Sequence, residues 1–141
     1  MSENAYIKLV EGSDRQTLTL GDLKELFHYY KQITSKTGDQ LNWDYSVKAF
    51  PYDIKEMAHD RFYLSSSHDK YNHIILGISK EKITLDDESE KIQSYIQVTL
   101  PESSTYGDKG KANEFCKYLA KKLKGELHLF NGRVMYYYPR R

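Results

Sequence analysis

Two stretches of the chain carry apolar residues at the spacing of an α-helix. The first stretch is marked by Leu23, Leu26, Phe27, Tyr30 and Ile33, and the second by Ala112, Phe115, Cys116, Leu119, Ala120 and Leu123. Each pattern predicts an amphipathic helix that turns one apolar face toward a core.

Capping residues predict where these two helices begin and end. Thr19 is followed three residues later by Asp22, which places a carboxylate near the capping-box position of the first helix. Gly38 is expected to end that helix. For the second helix, Asp108 is the expected N-cap, and Gly125 is expected to end it in the left-handed conformation.

Alternating or β-branched residues between turn signals predict the strands. These segments are Ala5–Val10, the short Gln16–Leu18, Arg61–Ser66, Asn72–Ser79, Ser94–Leu100, Glu126–Phe130 and Arg133–Tyr138. Pro51 suits the first turn of a helix and predicts a short one through about Ala58, with Ile54, Met57 and Ala58 facing inward. The nearly alternating residues 39–51 predict an extended or ordered loop anchored by Trp43.

The final hairpin is predicted to turn on Asn131-Gly132, because both residues tolerate positive φ. Leu129 is then opposite Val134, and Leu127 opposite Tyr136, under the second helix. The opposite face would carry His128, Phe130, Met135 and Tyr137, together with Glu126 and Arg133. That face is more apolar than a fully solvated face needs to be, so it is the candidate contact surface. The alternative is that another segment, such as residues 39–51, covers it.

Together these elements predict a single α+β domain over residues 1–141. The expected architecture is a two-layer sandwich with two main helices on one face of a largely antiparallel sheet of about five or six strands. Strand 94–100, the second helix and strand 126–130 could also form a right-handed parallel crossover, which would make the sheet mixed. Residues 80–93 are highly charged, and Asp86–Ile92 is expected to be a short helix or a mobile acidic loop.

Composition narrows the class of protein. Cys116 is the single cysteine, which excludes an internal disulfide framework and favours a reducing compartment. The first residues lack the basic and apolar regions of a signal peptide, and no apolar run is long enough to cross a membrane. We therefore expect a cytoplasmic protein. Its net charge is +1, but residues 81–102 are acidic and residues 103–141 are basic. That asymmetry indicates either a partner surface or two regions that face each other.

The loop over residues 106–111 is the best candidate for anion binding, because it follows a strand and opens a helix. Its candidate contacts are Gly107, Lys109, Gly110 and Lys111. A phosphate-binding loop would need glycine at Thr105 and a hydroxyl residue at Ala112, so the match to that motif fails. The simpler interpretation is a helix start with two permissive glycines.

Other catalytic or metal-binding chemistry has weaker support. Cys116 lies within the apolar stripe, so its thiol is expected to be buried and inert. His68, Asp69 and His73 lie near one hairpin loop, but their spacing is not diagnostic of zinc. No catalytic, cofactor-binding or metal-ligating residue is therefore assigned, and no cofactor is expected.

Nucleic acid is a second candidate partner. Lys121 and Lys122 extend a basic face on the second helix, and Tyr136, Tyr137 and Tyr138 supply aromatic rings that could stack on bases. The lysines are also the ordinary polar face of an amphipathic helix, and the pI of about 7.8 is low for this role. Nucleic-acid binding is therefore not favoured.

Four segments give the chain a family resemblance. They are Ala5–Val10, Leu23–Leu26 with His28–Lys31, Ile33–Gly38 and Ala49–Tyr52. Across its full length the chain resembles a small family of Bacillus-type proteins classed only as a domain of unknown function. The resemblance implies a bacterial cytosolic protein with one α+β domain. It carries over no reaction and no active-site residue.

We infer from the sequence that the chain is most simply a non-enzymatic protein-interaction or accessory module, with a protein partner or a homodimer as its assembly. The alternatives are nucleic-acid binding through the basic helix, and a small enzyme or anion-binding protein that uses the loop over residues 106–111. The sequence leaves strand order, oligomeric state and ligand open.

Overall fold

A computed structural model describes residues 3–41, 51–67 and 70–138, with residues 34–41 described for their backbone only. In chain order its elements are β1 (Glu3–Lys8), α1 (Leu20–Leu41), β2 (Asp53–Ala58), β3 (Arg61–Ser65), β4 (His73–Thr84), β5 (Glu90–Leu100), α2 (Tyr106–Leu123), β6 (Glu126–His128) and β7 (Val134–Tyr136). Residues 42–50, which include Trp43 of the predicted loop, lie outside the described residues.

The strands form one seven-stranded sheet in the order β2-β3-β4-β5-β1-β6-β7, and every described neighbouring pair is antiparallel. The predicted α+β class is confirmed, although the sheet has more strands than expected. The proposed mixed sheet is wrong, because β1 lies between β5 and β6 and pairs antiparallel with both. Gln16–Leu18 does not form a strand.

Both helices pack on the same face of the sheet. Side chains alternate along a strand, so Ala5, Ile7 and Leu9 point to this face and are buried. Phe27 of α1 contacts Phe62 of β3 edge to face at 6.2 Å between ring centroids. Phe27 also contacts Phe115 of α2, at 5.4 Å. The core therefore lies between the two helices and one face of the sheet.

The capping box predicted for α1 is present. The Asp22 amide donates to Thr19 Oγ1, and the Thr19 amide donates to Asp22 Oδ2, both at 3.0 Å. Leu18 and Leu23 on either side of this cap are buried, as in a hydrophobic staple. The helix does not stop at Gly38 but continues to Leu41.

The predicted caps of α2 are both wrong, each by a short displacement. Thr105 is the N-cap, and Asp108 is the third helical residue, which completes a second capping box. At the other end Lys124, not Gly125, adopts the left-handed conformation, with φ 54°. The Gly125 amide then donates to the Ala120 carbonyl oxygen.

Residues 53–58 form strand β2 instead of the predicted helix. Asp53 pairs with Ser65 and Ile54 with Leu64, so β2 lies at the edge of the sheet against β3. Met57 and Ala58, which were expected to face inward, are exposed. The backbone hydrogen bonds of this pairing outweigh the helix preference of the local side chains.

The charged segment 80–93 belongs to a β-hairpin and contains no helix, and only residues 85–89 lie outside its two strands. β4 and β5 continue to pair from Lys80 with Ser94 to Thr84 with Glu90. A tight turn closes the hairpin, with Glu88 at positive φ. We call residues 80–94 the arm. In this part of the hairpin, β4 and β5 pair with each other and with no other described strand.

The register of the last hairpin differs from the predicted one by one residue. Leu127 is opposite Met135, and His128 is opposite Val134. Only Gly132 of the Asn131-Gly132 pair has positive φ, so the two-residue turn that needs positive φ at both positions does not form. A three-residue loop replaces it, and the side chains of the second strand therefore exchange faces.

Candidate interaction surface

The sheet face opposite the helices, here called the open face, is covered by no described helix. The register places Val134, His128, Tyr6, Gln97, Gly77 and Arg61 side by side across six strands. A neighbouring row runs through Asn4, Thr99, Ile75, Tyr63 and Lys55. Antiparallel sheets commonly leave one face to water, but that face then carries polar side chains. This one includes aromatic and aliphatic residues.

A depression of about 200 Å³ lies near the centre of the open face. It is lined by Asp60, Arg61, Ile75, Gly77, Ile78, Ser79, Gln97 and Thr99. A Cβ on Gly77 would lie 3.1 Å from the Arg61 Cβ and 3.2 Å from the Asp60 carbonyl oxygen, so glycine lets these two residues approach the strand closely. On one wall, Thr99 Oγ1 donates to Asn4 Oδ1 at 2.7 Å, and Gln97 Nε2 donates to the same oxygen at 3.1 Å. These bonds fix the orientation of the polar wall.

A second depression of about 220 Å³ adjoins the first and shares Ile75 with it. Its other lining residues are Met57, Tyr63, Ser65 and His73. The Tyr63 and His73 rings meet edge to face at 6.4 Å, and Met57 is 49% exposed. An adaptable methionine beside aromatic rings is common where a protein binds a partner.

The four predicted contact residues do not share one face. His128 lies on the open face, where its ring nitrogen is 2.8 Å from a Glu126 carboxylate oxygen. Phe130, Met135 and Tyr137 instead pack, partly buried, against the core. The one-residue error in register moves Met135 and Tyr137 to the helix side, whereas Phe130 lies in the loop between the two strands. Val134 and Tyr136 are the exposed residues of β7.

The open face has no dominant charge. Lys8 forms an ion pair with Glu81 at 3.1 Å, and Glu126 accepts a hydrogen bond from the Tyr138 hydroxyl at 3.1 Å. Lys8 also lies directly opposite Glu126 on the neighbouring strand, so its positive charge is balanced by two carboxylates and does not add to a basic surface for a nucleic-acid backbone. The chemistry is that of half-buried tyrosines, amides and aliphatic groups.

The predicted anion-binding loop is the first turn of α2, and a carboxylate of the chain already occupies it. Asp108 is fully buried and accepts the Thr105 amide at 3.0 Å. The Tyr52 hydroxyl donates to Asp108 Oδ1 at 2.6 Å, and the Asn72 amide donates to both carboxylate oxygens at 3.0 Å. Burial and the neighbouring Asp108 raise the pKa of Tyr52, which keeps its hydroxyl a donor.

This Asp108 cluster links three segments that are distant in sequence: the residue before β2, the β3–β4 loop and the start of α2. The capping box of this cluster could be recognised in the sequence, because Thr105 precedes Asp108 by the same spacing as Thr19 precedes Asp22. Tyr52 and Asn72 could not be found from sequence, since they meet Asp108 only through tertiary packing.

The other predicted anion contacts are separated around this helix turn. Lys109 forms an ion pair with Glu3, and Lys111 forms one with Glu114, at 3.3 and 3.1 Å. Gly107 packs against the β3–β4 loop, whereas Gly110 faces open space. With the helix N-terminus filled by Asp108, these residues do not surround a common anion position.

Substitution of the two glycines should give effects of opposite sign. A Cβ on Gly107 would lie 2.4 Å from the Lys70 carbonyl oxygen, so Gly107→Ala should lower the free energy of unfolding by about 1–3 kcal/mol. A Cβ on Gly110 meets nothing within 4 Å, and Gly110→Ala should raise it by about 0.5–1 kcal/mol. Urea denaturation of both variants checks this. Equal effects would contradict the described packing of the helix start.

The candidate nucleic-acid contacts on α2 are exposed. Lys122 Nζ lies 4.5 Å above the ring of Tyr29, and Lys121 lies beside it in sequence on the outer surface. The Tyr136 ring lies on the open face, whereas Tyr137 packs against the core. The lysines and the aromatic residues of the last strand therefore do not form the single surface that this hypothesis needs.

Cys116 is buried, as predicted, and burial raises the pKa of its thiol to about 12. Fewer thiolates are therefore present near neutral pH than for an exposed cysteine, and the packed side chains around the sulfur block access to it. We expect iodoacetamide to alkylate Cys116 at least about tenfold more slowly in the native protein than in urea. Mass spectrometry over time measures both rates. Rapid native alkylation would contradict the packing of α2 against the sheet.

No group of three or more metal-ligating side chains converges in the described part of the chain. His73 belongs to the second depression, whereas His68 and Asp69 lie outside the described residues.

The fold and this surface define an α+β protein with two helices on one face of a seven-stranded antiparallel sheet and a partly apolar open face on the other. A family model described as a domain of unknown function (DUF1885) matches residues 3–139. The chain belongs to this family, which confirms the resemblance seen in its sequence.

A solved structure supports the same relationship. The chain is 39% identical to a protein of unknown function from Bacillus stearothermophilus, over 87% of this chain and 91% of that one, with a TM-score of 0.53. The comparison with curated proteins gave no match. Neither helix in the described ranges has the length and apolar character that a membrane crossing requires.

Proposed function

We propose that the chain is a single-domain, non-enzymatic protein-interaction module that binds a partner protein on the open face of its sheet. A bacterial cytoplasmic setting is part of this proposal. It is supported by the likeness to a Bacillus stearothermophilus protein and by the single buried cysteine.

The observation that carries the proposal is the pair of adjoining depressions on a sheet face that no described helix covers. Ile75 joins them, and Met57, Tyr63 and His73 form the more apolar of the two. Adjacent pockets lined by methionine and aromatic residues can accept anchor side chains of a partner, while the hydrogen-bonded amides beside them restrict orientation.

The mixed charge of the open face favours a protein over a nucleic acid. Ion pairs such as Lys8 with Glu81 neutralise the cations that a phosphate backbone would need. Each depression is also small compared with the pocket volumes typical of small-molecule sites, which begin at about 300 Å³. Docking of side chains from another protein fits these dimensions better.

Two open-face variants and one matched control test the proposal. Met57→Asp and Tyr136→Asp place a charge at exposed positions of the open face, and Tyr106→Asp does so at a 96% exposed position on α2. Tagged proteins are used to capture partners from a lysate of the source organism, and captured proteins are quantified by mass spectrometry. We expect both open-face variants to lose a partner that wild type and Tyr106→Asp retain.

The amount of captured partner should fall at least about tenfold in both open-face variants. One charge buried without a counter-charge at an interface costs more than about 1.4 kcal/mol of binding free energy. Thermal melting confirms that all variants are folded. If every variant captures the same proteins in equal amounts, the open face is not the binding surface.

A further inference from the structure

Two surfaces away from the open face carry opposite charges that are unmatched within the described chain. One is the tip of the arm, where Asp86, Asp87 and Glu88 are exposed. None of these carboxylates forms an ion pair with any cation that the structure describes. The nearby Lys82 is already engaged with Glu90, at 3.4 Å. The tip therefore keeps three negative charges.

The tip is held in a defined shape. The Ser89 amide and hydroxyl both donate to Asp87 Oδ1, and the Leu85 amide donates to the Ser89 carbonyl oxygen. These side-chain and backbone hydrogen bonds from Ser89 lower the pKa of Asp87 and keep it ionised. The charges are thus presented on a closed turn, which reduces the entropy lost on binding.

The second surface is the outer side of α2, where Lys117, Lys121 and Lys122 are exposed. The other lysines of the helix and its C-cap have carboxylate partners in the chain: Lys109 with Glu3, Lys111 with Glu114 and Lys124 with Asp14. For Lys117, Lys121 and Lys122, the described residues supply no such carboxylate. We call these three residues the basic patch.

Each surface also exposes an apolar side chain beside its charges. On the arm, Ile92 is 62% exposed, and Leu85 leads into the acidic tip. Next to the basic patch, Tyr29 is 46% exposed under the ammonium group of Lys122. Three acidic groups with an aliphatic residue thus match three basic groups with an aromatic one. Such complementary pairs of apolar and charged groups are typical of specific interfaces.

We propose that the chain forms a dimer with a second copy of itself, in which the arm of each copy docks on the basic patch of the other. Two equivalent contacts then close a twofold-symmetric pair without leaving a free end for further growth. Ionic contacts at solvent-accessible positions are screened by salt, so this dimer dissociates as ionic strength rises. It leaves the open face free, and its failure would leave the proposed function standing.

A charge exchange between the two surfaces tests the dimer. Asp86→Lys, Asp87→Lys and Glu88→Lys together give an arm variant, and Lys117→Glu, Lys121→Glu and Lys122→Glu give a patch variant. Each variant alone brings like charges together and should be monomeric. An equimolar mixture pairs a basic arm with an acidic helix, and an acidic arm with a basic helix. We expect this mixture to form a dimer again.

Sedimentation velocity at about 100 µM protein, in about 50 and about 500 mM salt, measures the assembly. Wild type should be dimeric at low salt, with at least about a tenfold increase in dissociation constant at high salt or in either variant. The control variant carries Lys55→Glu and Lys70→Glu, both away from the two surfaces, and should dimerise as wild type does. Circular dichroism melting establishes that each variant is folded.

Three outcomes would overturn the proposal. Wild type could be monomeric at low salt, its dimer could survive both charge reversals, or the mixture could stay monomeric. A monomeric wild type that retains single-stranded RNA or DNA on a filter, with retention lost in the patch variant, would assign the basic patch to nucleic acid instead.

Discussion

Asp108→Ala should lower the free energy of unfolding by about 3–5 kcal/mol, the cost expected when one partner of a buried charged network is removed. The substitution leaves the Tyr52 hydroxyl and the backbone amides of Asn72 and Thr105 without their acceptor. It also removes a negative charge from the N-terminus of α2, where the helix dipole favours one. Urea denaturation monitored by circular dichroism measures the loss.

The chain contains its own control for this experiment. Asp22 occupies the same position in the capping box of α1 but is partly exposed, and in the described part of the chain it accepts a backbone hydrogen bond from the Thr19 amide. Asp22→Ala should therefore cost about 1 kcal/mol, as a solvent-accessible cap does. If the two substitutions cost the same, Asp108 is a helix cap and does not join three segments.

A double-mutant cycle isolates the contact between Asp108 and Tyr52. Tyr52→Phe removes the donor and should cost about 1–2 kcal/mol. Combined with Asp108→Ala, it should cost less than the sum of the single effects by about 1 kcal/mol, because the unsatisfied hydroxyl is gone. Asp108→Asn keeps the shape and extends the cycle if Asp108→Ala does not fold.

The second large effect is expected at Phe115, whose ring is fully buried where both helices meet the sheet. It contacts Phe27 at 5.4 Å, Tyr30 at 5.5 Å and Tyr52 at 6.0 Å between centroids, each edge to face. Phe115→Ala removes these contacts and leaves a cavity, so it should cost about 3–5 kcal/mol. Thermal and urea unfolding measure the change.

Two further variants make the result at Phe115 interpretable. Phe115→Leu keeps much of the apolar volume but not the aromatic contacts, and should cost about 1–2 kcal/mol. Tyr106→Ala, on the same helix but 96% exposed, should change stability by less than about 0.5 kcal/mol. If Phe115→Ala leaves the free energy of unfolding nearly unchanged, α1 and α2 do not share a packed core.

Sequence periodicity predicted the parts of the fold in which local preference and tertiary burial agree. The apolar stripes of the two helices place Leu23, Phe27 and Phe115 in the core, where the structure has them. The Thr19 cap and the hairpin of β3 with β4 follow from short-range signals in the same way. At these positions the local sequence signal is sufficient to predict the structure.

The prediction failed where long-range pairing outweighs local preference. Residues 53–58 contain helix formers such as Lys55 and Met57, yet they pair with β3 as an edge strand. The helix or loop expected at Asp86–Ile92 is replaced by a hairpin, because β-branched Ile83 and Ile92 favour continued pairing of the two strands. Neither outcome could be derived without the neighbouring strand.

The prediction of the contact surface depended on the conformation of a single turn residue, Asn131. Because Asn131 does not adopt positive φ, the hairpin loop has three residues, and Met135 faces the core instead of the solvent. His128 alone of the four predicted contact residues remains on the open face. A one-residue change in register is enough to exchange faces, which is why periodicity alone could not define this surface.

Photo-crosslinking tests the assignment of function to the open face most directly. Benzoylphenylalanine replaces Met57, Tyr136 or Tyr106 one at a time, and the protein is irradiated in cells of the source organism. We predict that positions 57 and 136 yield crosslinks to the same partner protein, whereas position 106 yields none to it. Crosslinks to that partner from position 106 alone would contradict the account.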